Sequence, residues 1–223
     1  MAWMPAAVRV GLIGKVTGVH CSLHWHHLWG KGTPFEAVSD LVLFDFGVHW
    51  FNFVMSITGR LASKVVAQAV HVPNAGVRPA MLSSALMDFG AAQASLISDA
   101  ATPFGASDTT YIAGAKGSLV SPGPDWGQQV AELYTESGVA RPEPAEKWFN
   151  DGFAGAIGEL LCAIEQNREP ETAQAATSSL SLTALQHLRR RGPECHSVPA
   201  TCNSAGRNLA LCRRPLNRSQ IQF

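Results

Sequence analysis

The chain has 223 residues, of which 46% are hydrophobic and 15% are charged, and its formal net charge is zero. That length suits one large domain or two small ones with a sizeable core, and the neutral charge balance gives no general attraction to nucleic acid or membrane surfaces. The sequence has no apolar run of membrane-spanning length, no leader peptide pattern and no Cys-x-x-Cys pair among its five cysteines. We therefore expect a cytoplasmic protein without a zinc site or a disulfide scaffold.

Secondary structure is predicted from hydrophobic periodicity and turn residues. After a linker at 1–14, strands are predicted at 15–26, 64–72, 81–89, 91–99, 109–113, 118–120 and 129–135, and helices at 46–58 and 153–167. Gly90 predicts a tight antiparallel hairpin, the turn from Gly114 to Gly117 predicts another, and Asn150-Asp151-Gly152 predicts the cap of the last helix. Neighbouring strands with few helices between them predict an α+β fold, a large open, mostly antiparallel β-sheet with helices packed on one face.

Asp45 and His49 stand four residues apart at the start of the first predicted helix. This spacing places both side chains on one helix face, one turn apart. A carboxylate beside an imidazole favours the protonated ring and fixes its orientation, which equips the pair as a general base for a substrate hydroxyl. Apolar neighbours are expected to bury the pair against the core: Leu41, Val42, Leu43, Phe44, Phe51 and Phe53.

The same two residues also have a purely structural interpretation. Asp45 would then be an ordinary helix N-cap, and His49 a core histidine held by one hydrogen bond. Because Asp-x-x-x-His is a short pattern, spacing alone favours the structural interpretation.

Several motifs follow one another in a characteristic order. A strand and a long loop lead to the Asp45–His49 helix, then come a strand, a hairpin and the Gly114-x-x-Gly117 turn. The last motifs are Trp148-Phe149-x-Asp151-Gly152-Phe153, Glu159-Leu160-Leu161-x-Ala163-Ile164-Glu165 and Arg168-Glu169-Pro170. From about Leu12 to Thr172 the chain resembles the C-terminal domain of the glucose-fructose oxidoreductase, inositol dehydrogenase and related (Gfo/Idh/MocA) family.

This resemblance implies a fold and a chemistry. Full-length members join a dinucleotide-binding domain to a domain built on a large open sheet, which shapes the substrate pocket and is often buried in dimers or tetramers. They oxidise or reduce sugars, polyols and similar compounds with NAD or NADP. The resemblance makes Asp45 and His49 the catalytic pair, and Asn52 stands where many members carry an aspartate.

Two further segments are expected to contribute to substrate binding. Trp25 and His26, within a cluster with His20, His24 and His27, are expected to edge a sugar pocket, because aromatic faces and imidazoles suit polyols. A metal site is the alternative for this cluster, but no cysteine or carboxylate stands at ligand spacing, so no metal is expected.

The loop from Thr102 to Asp108 is the second of these segments. By the resemblance it approaches the substrate, with Asp108 as a contact, and a plain surface turn is its alternative. Ser83, Ser84 and Ser95 have no convincing histidine–acid partner in the sequence, so a serine hydrolase finds no support among them.

The family's cofactor motifs are missing from the sequence. Gly11-Leu12-Ile13-Gly14 places Ile13 where a dinucleotide loop requires its second glycine, and no acidic ribose ligand follows at the right distance. The Glu-Lys-Pro motif of the family is also missing, since Glu146-Lys147 is followed by Trp148. We therefore expect residues 1–14 to be the remnant of a link to a missing dinucleotide domain, with no tightly bound cofactor.

The composition changes near the end of the chain. From Arg189 onward the sequence holds seven of the twelve arginines, three of the five cysteines and no lysine. We expect residues 15–172 to form the substrate and oligomerisation domain and residues 173–223 to be a divergent, disordered tail. A basic arm for nucleic acid is the alternative, but the arginines lack interleaved aromatic residues.

The functional expectation is the substrate-binding domain of an NAD(P)-dependent sugar or polyol oxidoreductase, truncated and inactive alone. Its partners would be a small sugar or polyol and further copies of the chain, paired through the sheet, with no nucleic acid and no membrane. A non-catalytic sugar-binding or oligomerisation module is the alternative.

Overall fold

The computed structural model describes residues 3–38, 40–123, 128–143, 148–170, 183–184 and 198–199. Its α-helices are α1 (Trp3–Arg9), α2 (Gly47–Thr58) and α3 (Trp148–Glu165). Its strands are β1 (Val16–His24), β2 (Lys64–Val70), β3 (Leu82–Asp88), β4 (Gln93–Asp99), β5 (Ser107–Gly114), β6 (Gly117–Gly123), β7 (Glu132–Thr135), β8 (Gly138–Ala140) and β9 (Val198–Pro199). Short 3-10 helices occur at Leu28–Gly30 and Pro34–Ala37, and a π-helix at Val42–Phe46 leads into α2. No helix within these ranges is both long and apolar enough to cross a bilayer.

The strands form one open sheet in the order β8-β7-β6-β5-β1-β4-β3-β2-β9. Strands β1 and β4 pair in parallel, while the other pairings among the described strands are antiparallel. The α+β prediction of a large, mostly antiparallel sheet is therefore confirmed. The predicted hairpin at Gly90 is also present, and it joins β3 to β4.

One face of the sheet packs against α2 and is called the covered face; the other is the open face. Alternate residues of each central strand are buried on the covered face, because neighbouring side chains of a strand point to opposite sides. The buried residues of β1, β4 and β5 on this face are Val19, Cys21, Leu23, Ala94, Leu96, Ser98, Asp108, Thr110 and Ile112. Helix α2 completes this core with Trp50, Phe51, Val54 and Ile57.

Helix α2 ends where the sequence predicts. Gly59 takes the left-handed conformation at φ 66°, which glycine adopts without strain, and its N–H donates to the Met55 carbonyl. The start of the helix differs from the prediction. The π-helix extends the helical segment back to Val42, and the cap position of α2 falls on Phe46.

The N-terminal prediction was incomplete. Residues 1–14 were expected to be a linker, but Trp3–Arg9 form α1, which contacts α2 and places Met4 and Ala7 in the core. The cap predicted at Asn150-Asp151-Gly152 was wrong, because α3 begins at Trp148 and Asp151 lies in its first turn.

The tail predicted from residue 173 lies mostly outside the described residues. Two short pieces of it are described. Thr183 and Ala184 are buried, with Ala184 in the main core cluster, and β9 pairs with β2. The domain boundary near residue 172 stays a prediction.

Candidate functional site

Asp45 lies inside the π-helix that precedes α2 and is half-buried. No side chain caps α2, so the interpretation of Asp45 as an ordinary N-cap was wrong. A π-helical turn is rare and often marks a functional position, because its widened spacing redirects side chains. Asp45 therefore lies in the turn that leads into α2 and does not cap the start of that helix.

His49 and Asn52 follow on α2, where their three-residue spacing places them on one side of the helix. The buried residues Trp50 and Val54 occupy the opposite side of the helix, against the sheet. His49 is exposed and Asn52 half-buried, so His49 is not a core histidine, and the predicted burial of the Asp45–His49 pair was wrong.

The two residues are not joined directly. Both are described, and neither a hydrogen bond nor an ion pair connects the carboxylate of Asp45 to the ring of His49 in this structure. The predicted spacing assumed an α-helix, whereas Asp45 lies in a π-helical turn, so the shared face and the catalytic roles of the two residues stay predictions.

An aromatic cluster lies beside Asp45. The Trp25 ring meets Phe46 and Trp50 at centroid distances of 5.9 Å each, both in edge-on geometry. The His27 ring stands perpendicular to Phe46 at 4.5 Å and to Trp29 at 5.4 Å. Edge-to-face packing of this kind fixes ring orientations, so the end of β1 and the start of α2 form one rigid wall.

His27 is the imidazole that responds to Asp45. Burial lowers the pKa of His27 below its ordinary value, and the nearby negative charge of Asp45 opposes that shift. From the sequence, His27 was predicted only as a member of the histidine cluster, without a connection to Asp45. No local spacing links the two residues, since the fold alone brings the end of β1 to the π-helix.

The other predicted substrate contacts differ in burial. Trp25 is half-buried in the aromatic cluster, whereas His26 is exposed just beyond β1, where it forms a single backbone bridge with Ala101. Asp108 was expected in a loop, but it lies inside β5, fully buried on the covered face. A contact between Asp108 and substrate stays a prediction, although this burial separates it from the Asp45 side of α2.

The four histidines of the predicted cluster lie in two different places. His20 and His24 share the open face, while His26 and His27 lie beyond the end of the strand. Within the described residues, no group of three histidine, cysteine, aspartate or glutamate side chains is placed to hold a metal ion.

The N-terminal segment does not fit a dinucleotide. Ile13, at the position of the missing glycine, is fully buried in the core, and its carbonyl accepts a hydrogen bond from the Lys116 N–H at 2.8 Å. A phosphate-binding loop instead needs open backbone N–H groups between a strand and a helix N-terminus. Here the segment runs from the end of α1 into β1, so it lacks the geometry of a phosphate-binding loop.

The sequence matches the GFO/IDH/MocA C-terminal domain over residues 1–120. The chain therefore belongs to the GFO/IDH/MocA family, and the matched part is the C-terminal domain of that family. None of the curated proteins matches the chain.

Three solved structures have the same fold. An oxidoreductase from Agrobacterium radiobacter in complex with NAD+, L-tartaric acid and magnesium aligns with a TM-score of 0.73 and 16% identity over 89% of this chain and 61% of that one. An oxidoreductase domain protein from Kribbella flavida aligns with a TM-score of 0.71 and 19% identity, over 90% of this chain and 62% of that one. An aldose-aldose oxidoreductase from Caulobacter crescentus, complexed with glycerol, aligns with a TM-score of 0.70 and 18% identity, over 87% of this chain and 58% of that one. The chain thus spans about three-fifths of their lengths.

Proposed function

We propose that this chain is the substrate-binding domain of an oxidoreductase acting on sugars or polyols. Family membership supports this class of protein, and the surface around Asp45 supports the substrate. The single observation that carries the proposal is the position of Asp45, half-buried in the turn before α2, where its charge acts on His27 of the aromatic cluster. We assign His49 and Asn52 of α2 to the same surface. The cytoplasm is the proposed location.

A polyol presents both hydroxyl groups and apolar C–H faces. The Asp45 carboxylate accepts hydrogen bonds, whereas the Asn52 amide and the two imidazoles can donate or accept them. Trp29 is 49% exposed and extends the aromatic wall, which offers a flat apolar surface to the C–H groups. Together these groups can orient a polyol and hold a proton taken from one of its hydroxyls.

The proposed cofactor is NAD or NADP, as the family resemblance implies. Residues 11–14 lack the geometry of a dinucleotide loop, so we propose that another domain or chain holds the cofactor. We expect the chain alone to form no NADH when it is mixed with NAD and polyols.

A ligand-binding experiment tests the substrate assignment. The full chain is titrated with myo-inositol, glucose, glycerol and tartrate while tryptophan fluorescence and the melting temperature are recorded. We expect at least one of these compounds to raise the melting temperature, and His49→Ala with Asn52→Ala to weaken its binding about tenfold. That loss corresponds to about 1.4 kcal/mol.

A matched control lies on the same helix. Ser56→Ala removes an exposed hydroxyl that bonds only to the Phe53 carbonyl, one turn beyond Asn52, and should leave binding unchanged. The proposal fails if no compound in the panel shifts the melting temperature, or if the Ser56 variant loses as much affinity as the double variant.

We also propose that copies of the chain associate through the open face of the sheet. Several large side chains on this face are solvent-exposed, among them Leu86, Ile97 and Tyr111, and exposed apolar surface often marks an interface. Sedimentation should show an oligomer that Ile97→Glu dissociates. Phe104→Glu, in an exposed loop outside the sheet, is the control, and a monomeric wild type would contradict the proposal.

A further inference from the structure

A row of polar side chains crosses the centre of the open face. His20, Ser22 and His24 alternate along β1 and therefore point to the same side. The parallel pairing of β1 with β4 places His24 directly opposite Asp99 and His20 opposite Ser95. This register, which no local sequence pattern reveals, assembles a serine, a histidine and an aspartate from two strands.

Two hydrogen bonds connect these three side chains in series. The Oγ of Ser22 lies 2.7 Å from Nε2 of His24, and Nδ1 of His24 lies 2.8 Å from Oδ2 of Asp99. An ionised carboxylate can only accept, so Nδ1 carries the ring proton and donates it to Asp99. In the neutral ring Nε2 is then an acceptor, and the Ser22 hydroxyl donates to it.

We propose that Ser22 is a nucleophile, activated by His24 and Asp99, that takes acyl groups from small activated esters. An imidazole that is hydrogen-bonded to a serine through Nε2 and to a carboxylate through Nδ1 has the arrangement of a Ser-His-Asp triad. This triad recurs on unrelated folds and is recognised by its geometry and by the role of each residue. The proposal does not depend on the oxidoreductase assignment, because the residues and the face differ.

The surroundings keep the three groups in position and accessible. The backbone N–H of Trp25 donates to the carbonyl of Asp99 at 2.8 Å, so the ends of β1 and β4 are tied together beside the histidine. The side chains of His24 and Asp99 are 33% and 32% exposed in the single chain, so a small ester can reach them when no other copy covers the open face. Thr109 lies opposite Ser22 on β5, and its hydroxyl is the candidate donor to the developing oxyanion.

The reaction balances without a further reagent. Ser22 Oγ attacks the ester carbonyl carbon while its proton passes to Nε2 of His24. The bond from that carbon to the leaving oxygen then breaks, and the proton passes from His24 to the leaving group. Water next attacks the acyl-Ser22 ester, with His24 again accepting and returning a proton, and releases the carboxylic acid.

Acylation by p-nitrophenyl acetate tests this proposal on the full chain. The experiment is made at a dilution at which the chain is monomeric by light scattering, because the proposed oligomer would cover the open face. Release of p-nitrophenolate is followed, and acetylated residues are located by peptide mapping. We expect acetyl-Ser22 in the wild type and none at position 22 in Ser22→Ala.

The decisive comparison uses Asp99→Asn, which keeps the shape of the side chain. It should slow acetylation of Ser22 by at least about tenfold, since the carboxylate fixes the ring tautomer. Ser95→Ala is the matched control, because Ser95 bonds to His20 at 2.8 Å without a carboxylate in that pair, and it should leave the rate unchanged. Acetylation confined to other residues, or an equal rate in Asp99→Asn and wild type, would overturn the proposal.

Discussion

The charge of Asp45 acts on His27, a residue of another segment, and no bond joins it to His49 on its own helix. Burial lowers the pKa of His27, and the carboxylate partly offsets this effect because it stabilises the imidazolium. We therefore predict that Asp45→Asn lowers the pKa of His27 further. NMR titration of the histidine ring protons measures this value for each ring.

Asp40→Asn is the control for this prediction, because it removes a carboxylate five residues earlier in the same segment, whereas Asp45 is the charge that acts on His27. The pKa of His27 should be the same in this variant and in the wild type. An unchanged pKa in Asp45→Asn would mean that the two groups lie too far apart in solution to form one site.

The packing of α2 against the sheet should dominate the stability of the site. Phe51 is fully buried, and truncation of a buried phenylalanine removes apolar contacts and leaves a cavity. We predict that Phe51→Ala lowers the free energy of unfolding by about 3–5 kcal/mol in urea denaturation. Phe44→Ala, at a 58% exposed position in the preceding turn, should cost within about 0.5 kcal/mol. Equal losses would contradict the placement of α2.

Glycine positions provide a test of the backbone contact between the N-terminal segment and the sheet. A Cβ on Gly114 would collide with the Ile13 carbonyl oxygen and lie 2.9 Å from the Ile13 Cβ. We predict that Gly114→Ala lowers the free energy of unfolding by about 1–3 kcal/mol, as overpacking does. Gly155→Ala, inside α3 with no atom within 4 Å of the new Cβ, should instead add about 0.5–1 kcal/mol. A neutral Gly114 variant would exclude this contact.

The sheet could be predicted from the sequence because its strands alternate regularly. Val19, Cys21 and Leu23 are buried in turn along β1, and Gly90 marks the β3–β4 turn. Short or unpatterned elements escaped prediction. β8 is three exposed residues held by β7 alone, and α1 is a seven-residue helix whose Met4 and Ala7 are buried only by tertiary contacts.

The site was predictable only where it depends on local spacing. His49 and Asn52 share a side of α2, as their three-residue spacing predicts, whereas the π-helical turn around Asp45 was not predicted. Two other relationships depend on which strands and turns become neighbours in the fold. These are the effect of Asp45 on His27 and the hydrogen bonds that connect Ser22, His24 and Asp99. The prediction for Asp108 was wrong in its element. The predicted loop ended at residue 108, but β5 begins at Ser107, and the side chain of Asp108 is buried in the core.

The buried thiol of Cys21 should make the fold sensitive to alkali. Burial raises the pKa of Cys21 from 9.0 to about 12, with the charge of Asp108 adding to the rise and the Thr110 hydroxyl opposing it. The folded state therefore keeps its proton at a pH where the unfolded state releases it. Linkage then makes this contribution complete below about pH 9 and progressively lost as the pH rises towards 12.

At pH 10.5 the loss from Cys21 should be about 2 kcal/mol, since each pH unit in this window costs about 1.4 kcal/mol. We predict that the free energy of unfolding, from urea titrations at pH 8 and 10.5, falls more steeply in the wild type than in Cys21→Ala, which lacks the titrating group. The cavity left by the alanine lowers the free energy of unfolding equally at both pH values, so its effect cancels when the change between pH 8 and 10.5 is compared. Cys162→Ala, which removes an exposed thiol, should keep the wild-type slope. Parallel slopes for the wild type and Cys21→Ala would show that the thiol is hydrated in the folded protein.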